Sequence, residues 1–591
     1  MLIRLEDITI ENFRETFYKI LQEKKAAGIT AIQNNPGDLL ERAKYYGVQY
    51  RNESWGWSSN IWSRSAAGSV VVESEKELQL EHKQLMLNVL EHILCRPMIQ
   101  VDANLGQPGS RAEMKCRLYC DPQSPDIAYR WSQLNFPGNS QTKQDAIIFC
   151  IPHYLENPNV PGGKDMLKVI RFPNHDYSII TVSSYQGEVK KGFLTHWILH
   201  AYKKGGTGEH AALKEFTVRR IDENKKRIVM GVWGLTGSGK STHGMYIFNE
   251  LTAPLYKEKF GINVLEFIED QFIKNDDVVA IFREKVESPE RGSWTKTEDV
   301  DKTQLAIYRA AMSPRALHEN TEWDSQGNVS FTGTLFQYRG KPNQNARTNL
   351  MLEDTGYFDG NVNSSGPLNM AVFISPGYNS DYAWLKLNDA SFAAKVIADG
   401  RTTGHPAQSK VGIGEEKYES RYCLPFTMGV GSALHVNRFY QFIKEREGTD
   451  NPIEIYQINT TGRVGAKFKW TEVQLGSQKV RVPKTEFEEI GGKKRPVGGT
   501  GPSIEETELF LLQAARGAVE YEPHPIWGDK VLVPVKVAGI STKRLKELNP
   551  FSYHSLDEMK QLLGAQILVS KINLDRQCPG LEPIIYNAMD F

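Results

Sequence analysis

The run Gly234-Leu235-Thr236-Gly237-Ser238-Gly239-Lys240-Ser241 constrains this chain more than any other stretch. It fits the pattern G-x-x-x-x-G-K-[ST], in which glycines let successive backbone N–H groups turn inward around a polyphosphate. Its flanks suit that geometry. Residues 227–233 read as a buried strand, and residues 242–251 as the first turns of a helix whose dipole would face the same anion. Lys240 would then reach the β- and γ-phosphates and Ser241 would hold a Mg²⁺ ion, with Thr242 continuing the nucleotide-contacting run. A glycine-rich structural turn is the alternative for the motif alone. Strand, loop and helix in succession favour a nucleoside triphosphate site.

A chain of 591 residues is too long for one hydrophobic core, so two or more domains are expected. Hydrophobic residues at 40% and charged residues at 24% are ordinary for a soluble globular protein. Lys plus Arg and Asp plus Glu both number 71, so net charge argues for neither a nucleic-acid nor a membrane partner. Cys116 and Cys120 are four residues apart, but no second His/Cys pair follows at zinc spacing. The six cysteines therefore read as reduced thiols of a cytoplasmic protein. The first residues are charged from Arg4 and lack the apolar core of a signal peptide, and no apolar run approaches membrane-spanning length.

Helical periodicity marks residues 10–26 and 74–94, the second opening with Ser74 and Glu77 at capping-box spacing. From Met98 short apolar runs broken by Gly, Pro and Asn suggest strands, among them 145–151 and 177–182. Residues 194–202 read as a helix leading to a Gly-rich turn at 205–208. The charged stretch 219–227 is a plausible junction. The expected division is 1–218 as a substrate-side unit, with 1–97 unplaced and partly helical, and 219–591 as the nucleotide unit. Beyond the loop, strands and helices alternate as in an α/β nucleotide domain. Residues 399–408 have the composition of a lid, and 491–502 of a surface loop or hinge. No internal repeat is present.

Three clusters add chemistry. Tyr185-Gln-Gly-Glu-Val-Lys-Lys191 places two lysines beside a tyrosine; Glu209-His210 follows the glycine turn; and Asp276-Asp277 close an apolar stretch downstream of the loop. Paired acids there suit a phosphate-bound cation. Taken singly each has a plainer reading: a solvated lysine pair, a satisfied turn histidine, a helix cap.

Taken in order, they resemble the phosphoenolpyruvate carboxykinases, chiefly the ATP type. That family carries Y-x-G-E-x-K-K, a histidine, a phosphate loop and a paired aspartate, here Tyr185–Lys191, His210, Gly234–Ser241 and Asp276-Asp277. The resemblance extends over residues 307–320, Asn345-Ala-Arg347, a lid start at 391–397 and a base-binding segment at 501–507 that includes Thr507, covering about residues 98–560 in all. It implies an α/β, two-domain fold with a phosphate-loop mononucleotide-binding C-terminal domain and a lid near 391–408. It also implies Mn²⁺ bound by Lys191, His210 and Asp277, with the Mg²⁺ of the nucleotide at Ser241 and Asp276. Lys191 can ligate only as a neutral amine, so its pKa must fall. Tyr185, Arg111, Asn345 and Arg347 would contact a small dicarboxylic acid, because an Arg fork pairs carboxylates bidentately. Lys191, Lys240, Asp277 and Arg347 would carry catalysis. The chain departs from the family pattern in lacking G-R-S-P, for which Gly109-Ser-Arg111 is the nearest match, and in lacking an arginine near Gly501. The aspartate pair also comes late after the loop, so residues 264–270 are a rival source of the magnesium-linked acid; the adjacent pair is preferred because only it supplies both metals.

The implied activity is ATP-dependent decarboxylation of oxaloacetate and phosphorylation of the enolate to phosphoenolpyruvate, with GTP as the alternative nucleotide. A phosphotransferase of the same fold acting on another small molecule or a protein is the second reading, and a nucleotide-binding module without catalysis the third. The sequence is silent on oligomeric state.

Overall fold

The computed structural model describes residues 4–33, 36–59, 69–152, 169–181, 183–234, 238–297, 300–331, 337–338, 341–342, 346–375, 379–403, 416–420, 431–460, 462–490 and 493–591. It is a mixed α/β structure built on two eight-stranded sheets.

The first sheet orders the strands Ile32–Gln33, Met98–Leu105, Met114–Cys120, Ala146–Ile151, Tyr177–Thr181, Val169–Phe172 and Ser69–Val71, with Phe136–Pro137 pairing at Met98–Leu105. Helices cover both faces, so its central strand is apolar throughout rather than alternating. Ile147, Phe149 and Ile151 pack with Phe13, Phe17 and Val89 of the helices Ile10–Ala26 and Leu80–Cys95. Ala146, Ile148 and Cys150 point the other way, into a core with Trp131 and Phe193 from Pro125–Leu134 and Gln186–Lys203. Of the first 97 residues, Ile10–Ala26 and Leu80–Cys95 thus form one helical layer of this sheet, while Ile32–Gln33 and Ser69–Val71 are strands within it. Ile10–Ala26 starts where its periodicity places it, with Thr9 and Asn12 forming a reciprocal cap.

The second sheet runs Ile268–Asn275, Ala211–Arg219, Lys225–Trp233, Met370–Ile374, Glu454–Ile458, Trp384–Leu387, Gly528–Val537, Val519–His524. Ala211–Arg219 is antiparallel to both neighbours, with Ala211 opposite Trp233 and Leu213 opposite Asn275. The strands ending at Trp233 and Asn275 therefore point the same way, and the residues after each emerge at one edge beside His210. Residues 211–218, grouped by sequence with the first unit, lie inside this sheet.

A five-stranded sheet orders Gly292–Lys296, Arg347–Met351, Leu317–Glu319, Trp55–Trp57 and Val48–Gln49. An early hairpin thus completes a sheet made mostly from residues far downstream.

Several boundaries differ from expectation. The helix expected over 194–202 begins at Gln186, because its first turns are polar yet buried. The helix expected over 242–251 is confined to Lys240–Gly244. Ser74 precedes one 3₁₀ turn, Glu75–Glu77, and donates to Glu77 Oε1 at 3.2 Å, while the following helix starts at Leu80 with Gln79 and His82 as its reciprocal cap. Within the lid region, Ala390–Asp399 is a helix buried along its whole length, and residues 404–408 lie outside the described residues. Among the described residues no helix is long and apolar enough to cross a membrane.

Candidate functional site

The carboxylate of Asp277 is the hub at the shared strand edge. The ammonium groups of Lys190 and Lys191 both donate to its Oδ2, and His210 Nε2 lies 3.0 Å from its Oδ1. Lys240 Nζ donates to the Asp276 carbonyl and stands 3.8 Å from Asp277 Oδ1. Three scattered segments thus meet at one side chain. The helix Gln186–Lys203 supplies the amines, with Tyr185 at its N-cap and Gly187 behind it. Only glycine fits at 187, since a Cβ there would come within 2.5 Å of the Tyr185 ring and 2.7 Å of Trp294.

Burial and crowded cations set the charges. Burial works to raise the Asp277 carboxyl, but Lys190, Lys191 and His210 hold it well below the usual range. Burial works to lower Lys190, but Asp277 and Glu290, the latter 3.0 Å away, hold it above the ordinary ammonium value. For Lys191 the balance falls the other way. Burial, with Lys190 beside it, pulls Lys191 down to about 7 against the attraction of Asp277. Burial, joined by Lys240 and Lys191, lowers His210 to about 3 despite its contact with Asp277. The site therefore holds a neutral imidazole and an amine able to give up its proton near neutrality.

Asp276 turns toward the phosphate loop. Its Oδ2 accepts from Ser241 Oγ at 3.0 Å and from Thr295 Oγ1 at 3.0 Å, and lies 3.3 Å from Ser293 Oγ. Its Oδ1 is buried without a hydrogen-bond partner among the described residues. The rival acids point elsewhere: Asp270 is mid-strand and ion-paired with Arg227. In the loop, Gly239 has φ +104°, a left-handed conformation suited to glycine, and Thr460 Oγ1 donates to the Ser238 carbonyl at 2.9 Å. Gly234 follows the strand that ends at Trp233; Thr242 lies in the short helix; Leu235, Thr236 and Gly237 lie outside the described residues. A helix of one turn contributes little dipole, which leaves Lys240 and the loop amides to meet an anion.

On the substrate side, Trp294 organises the wall. Its ring lies 5.3 Å from that of Tyr185, 4.9 Å from the Arg347 guanidinium and 5.8 Å from Lys190 Nζ. Its Nε1 is buried without a hydrogen-bond partner among the described residues. Behind it, Arg130 pairs with Glu319 at 2.9 Å, and Glu319 Oε1 accepts the Gln186 N–H at 2.9 Å, which seats the start of the amine-bearing helix. Sequence reasoning missed Trp294, Glu290, Ser293, Thr295 and the Arg130–Glu319 pair. The sole hint was their position around the recognised blocks.

Two expected residues lie apart. Arg111 is half-exposed over the Phe282 ring and 3.6 Å from Glu284, not at the Asp277 cluster. The Thr507 hydroxyl faces the Trp384 indole at 3.3 Å inside the core. Asn345 lies outside the described residues. Among the described residues no three His, Cys, Asp or Glu side chains form a cation-binding cluster, so any ion at Asp277 would need the Lys191 amine.

Residues 73–353 match the family model described as phosphoenolpyruvate carboxykinase, ATP type. A phosphoenolpyruvate carboxykinase (ATP) from Aeropyrum pernix is 26% identical over 246 residues, 41% of this chain and 44% of that protein. The chain thus spans less than half the length of the curated relative it matches. Over the matched region the chain is similar to the phosphoenolpyruvate carboxykinases, at low identity.

Proposed function

We propose that this chain is an ATP-dependent phosphoenolpyruvate carboxykinase-like enzyme, decarboxylating oxaloacetate and phosphorylating the resulting enolate to phosphoenolpyruvate. The observation that carries the reading is the meeting of Lys191, His210 and Asp277 beside Lys240 and Ser241. The nucleotide site belongs to a phosphate-loop domain over 219–591, to whose sheet the strand Ala211–Arg219 is added, with a substrate-side unit before it. GTP is the alternative nucleotide, and the cytoplasm the expected location.

The donor set fits two dications. Asp276, with one oxygen on Ser241 and the other unpartnered, suits an oxygen-preferring Mg²⁺. Lys191, His210 and Asp277 offer two nitrogens and an oxygen, a mixed set open to a first-row dication once Lys191 is neutral, and Mn²⁺ is the ion that the family resemblance implies. Bound there, the ions would supply charge neutralisation at the phosphoryl group and at the developing enolate oxygen. The chain's own residues do the rest. Lys240 draws the β/γ-phosphates toward Asp276. Arg347, held over Trp294, offers its fork to a carboxylate or to the transferring group. Tyr185 and Trp294 wall the enolate from water, which would otherwise protonate it to pyruvate. A lid after Asp399 would complete that exclusion.

A coupled assay tests the proposal: phosphoenolpyruvate should form only with oxaloacetate, ATP and Mn²⁺ together, and Lys240→Ala should lower the rate by about a thousandfold. ATP binding without any phosphoenolpyruvate formation would refute the carboxykinase activity and leave a phosphotransferase with another acceptor.

A further inference from the structure

A buried polar cluster lies directly beneath the phosphate loop and takes no part in the chemistry above. His243 sits at the end of the short helix Lys240–Gly244. Its Nδ1 lies 2.8 Å from Glu508 Oε1, on the helix Ile504–Arg516. Lys214 Nζ, from the neighbouring strand, stands 3.4 Å from Glu508 Oε2 and donates to the carbonyls of His243 at 3.1 Å and Tyr246 at 3.3 Å. His243, Lys214 and Glu508 are all nearly solvent-free. The imidazole also reaches back to the loop: a Cβ on Gly239 would stand 3.4 Å from His243 Cδ2 and 3.7 Å from Nε2.

A helix of five residues cannot hold its own geometry in isolation, so its direction must come from tertiary anchors. Lys214 satisfies carbonyls at the helix end, and Glu508 ties both Lys214 and His243 to a second helix. The ring is then a floor under the last loop glycine, whose left-handed turn aims the amides and Lys240. Polar groups this buried are favourable only while all are paired, so the cluster has one low-energy arrangement.

We infer that His243, locked by Glu508, is a positioning residue that sets the phosphate loop for nucleotide binding. The inference rests on the nucleotide reading of the loop. Isothermal titration of Mg²⁺–ATP into the full chain, with the coupled assay alongside, tests it. His243→Leu should weaken ATP binding about tenfold and raise KM for ATP to match, with kcat at saturation within about twofold. His243→Asn places an amide donor where Nδ1 stood and should restore affinity to within about threefold. If His243→Leu does not fold, Glu508→Gln takes its place and should weaken ATP about threefold. Unchanged affinity in the folded variant, equal loss in His243→Leu and His243→Asn, or a loss confined to kcat would overturn the inference while the nucleotide site stood. Absence of ATP binding by the unaltered chain would overturn both.

Discussion

At the scale of single residues the site is a problem of too many cations around one acid. Asp277 faces Lys190, Lys191, His210 and, at 3.8 Å, Lys240, while Glu290 lies 3.0 Å from Lys190. Something must yield, and Lys191, lowered by burial with Lys190 and Lys240 beside it, is the one drawn to about 7. The lysine doublet therefore divides its work. Lys190 stays charged; Lys191 is the amine to which the proposed function gives the metal-ligand role. From this division His210→Ala should cut activation by Mn²⁺ at least about tenfold while ATP affinity changes less than about threefold. Metal titration of the rate and nucleotide titration by calorimetry check the split, and equal losses would mean one shared ion site. The choice between Asp270 and Asp276 shows what residue types alone leave open. Both are acids near the loop, and only the strand's end separates the one that meets Ser241 from the one paired with Arg227.

At the scale of elements, periodicity worked where a helix has a wet face and failed where it does not. Ile10–Ala26 is amphipathic and was legible to its first residue. Gln186–Lys203 opens with Gln, Gly, Glu and two Lys that are nonetheless buried, so its polar first half lies outside the helix expected over 194–202 and carries Lys190 and Lys191. The phosphate-loop helix failed the other way. Its apolar continuation looks helical, yet the helix ends at Gly244, where a Cβ would meet Ala212 at 2.4 Å. The N-terminal helix belongs to stability rather than chemistry. Phe17 is fully buried against Tyr119 and Phe149, at 4.9 and 4.7 Å between ring centroids. Phe17→Ala should cost about 3–5 kcal/mol in denaturant unfolding and leave ATP affinity of the folded protein unchanged. A parallel loss of affinity would place that helix in the site.

At the scale of the molecule, burial is extensive enough to make acid a denaturant. His196, His318, His435 and His524 are each lowered by burial to about 3. Their unfolded values lie near 6.5, so the unfolded chain binds protons first. Their contribution is intact above pH 6.5 and is lost as pH falls from there toward 3, at about 1.4 kcal/mol per unit for each histidine titrated. Melting temperature should fall steeply below pH 6.5, and a flat profile from pH 7 to 4 would contradict the burial of these rings. The chain by itself determined the phosphate loop, the family blocks and the apolar strands, because each is written in contiguous residues whose backbone needs are local. Only tertiary structure decided that an amine at 191, an imidazole at 210 and a carboxylate at 277 share one point. It also set Arg111 and Thr507 apart, and brought the hairpin Val48–Trp57 into the sheet that carries Arg347. Strand order and register set such distances, and they depend on every core residue at once rather than on any stretch that can be read alone.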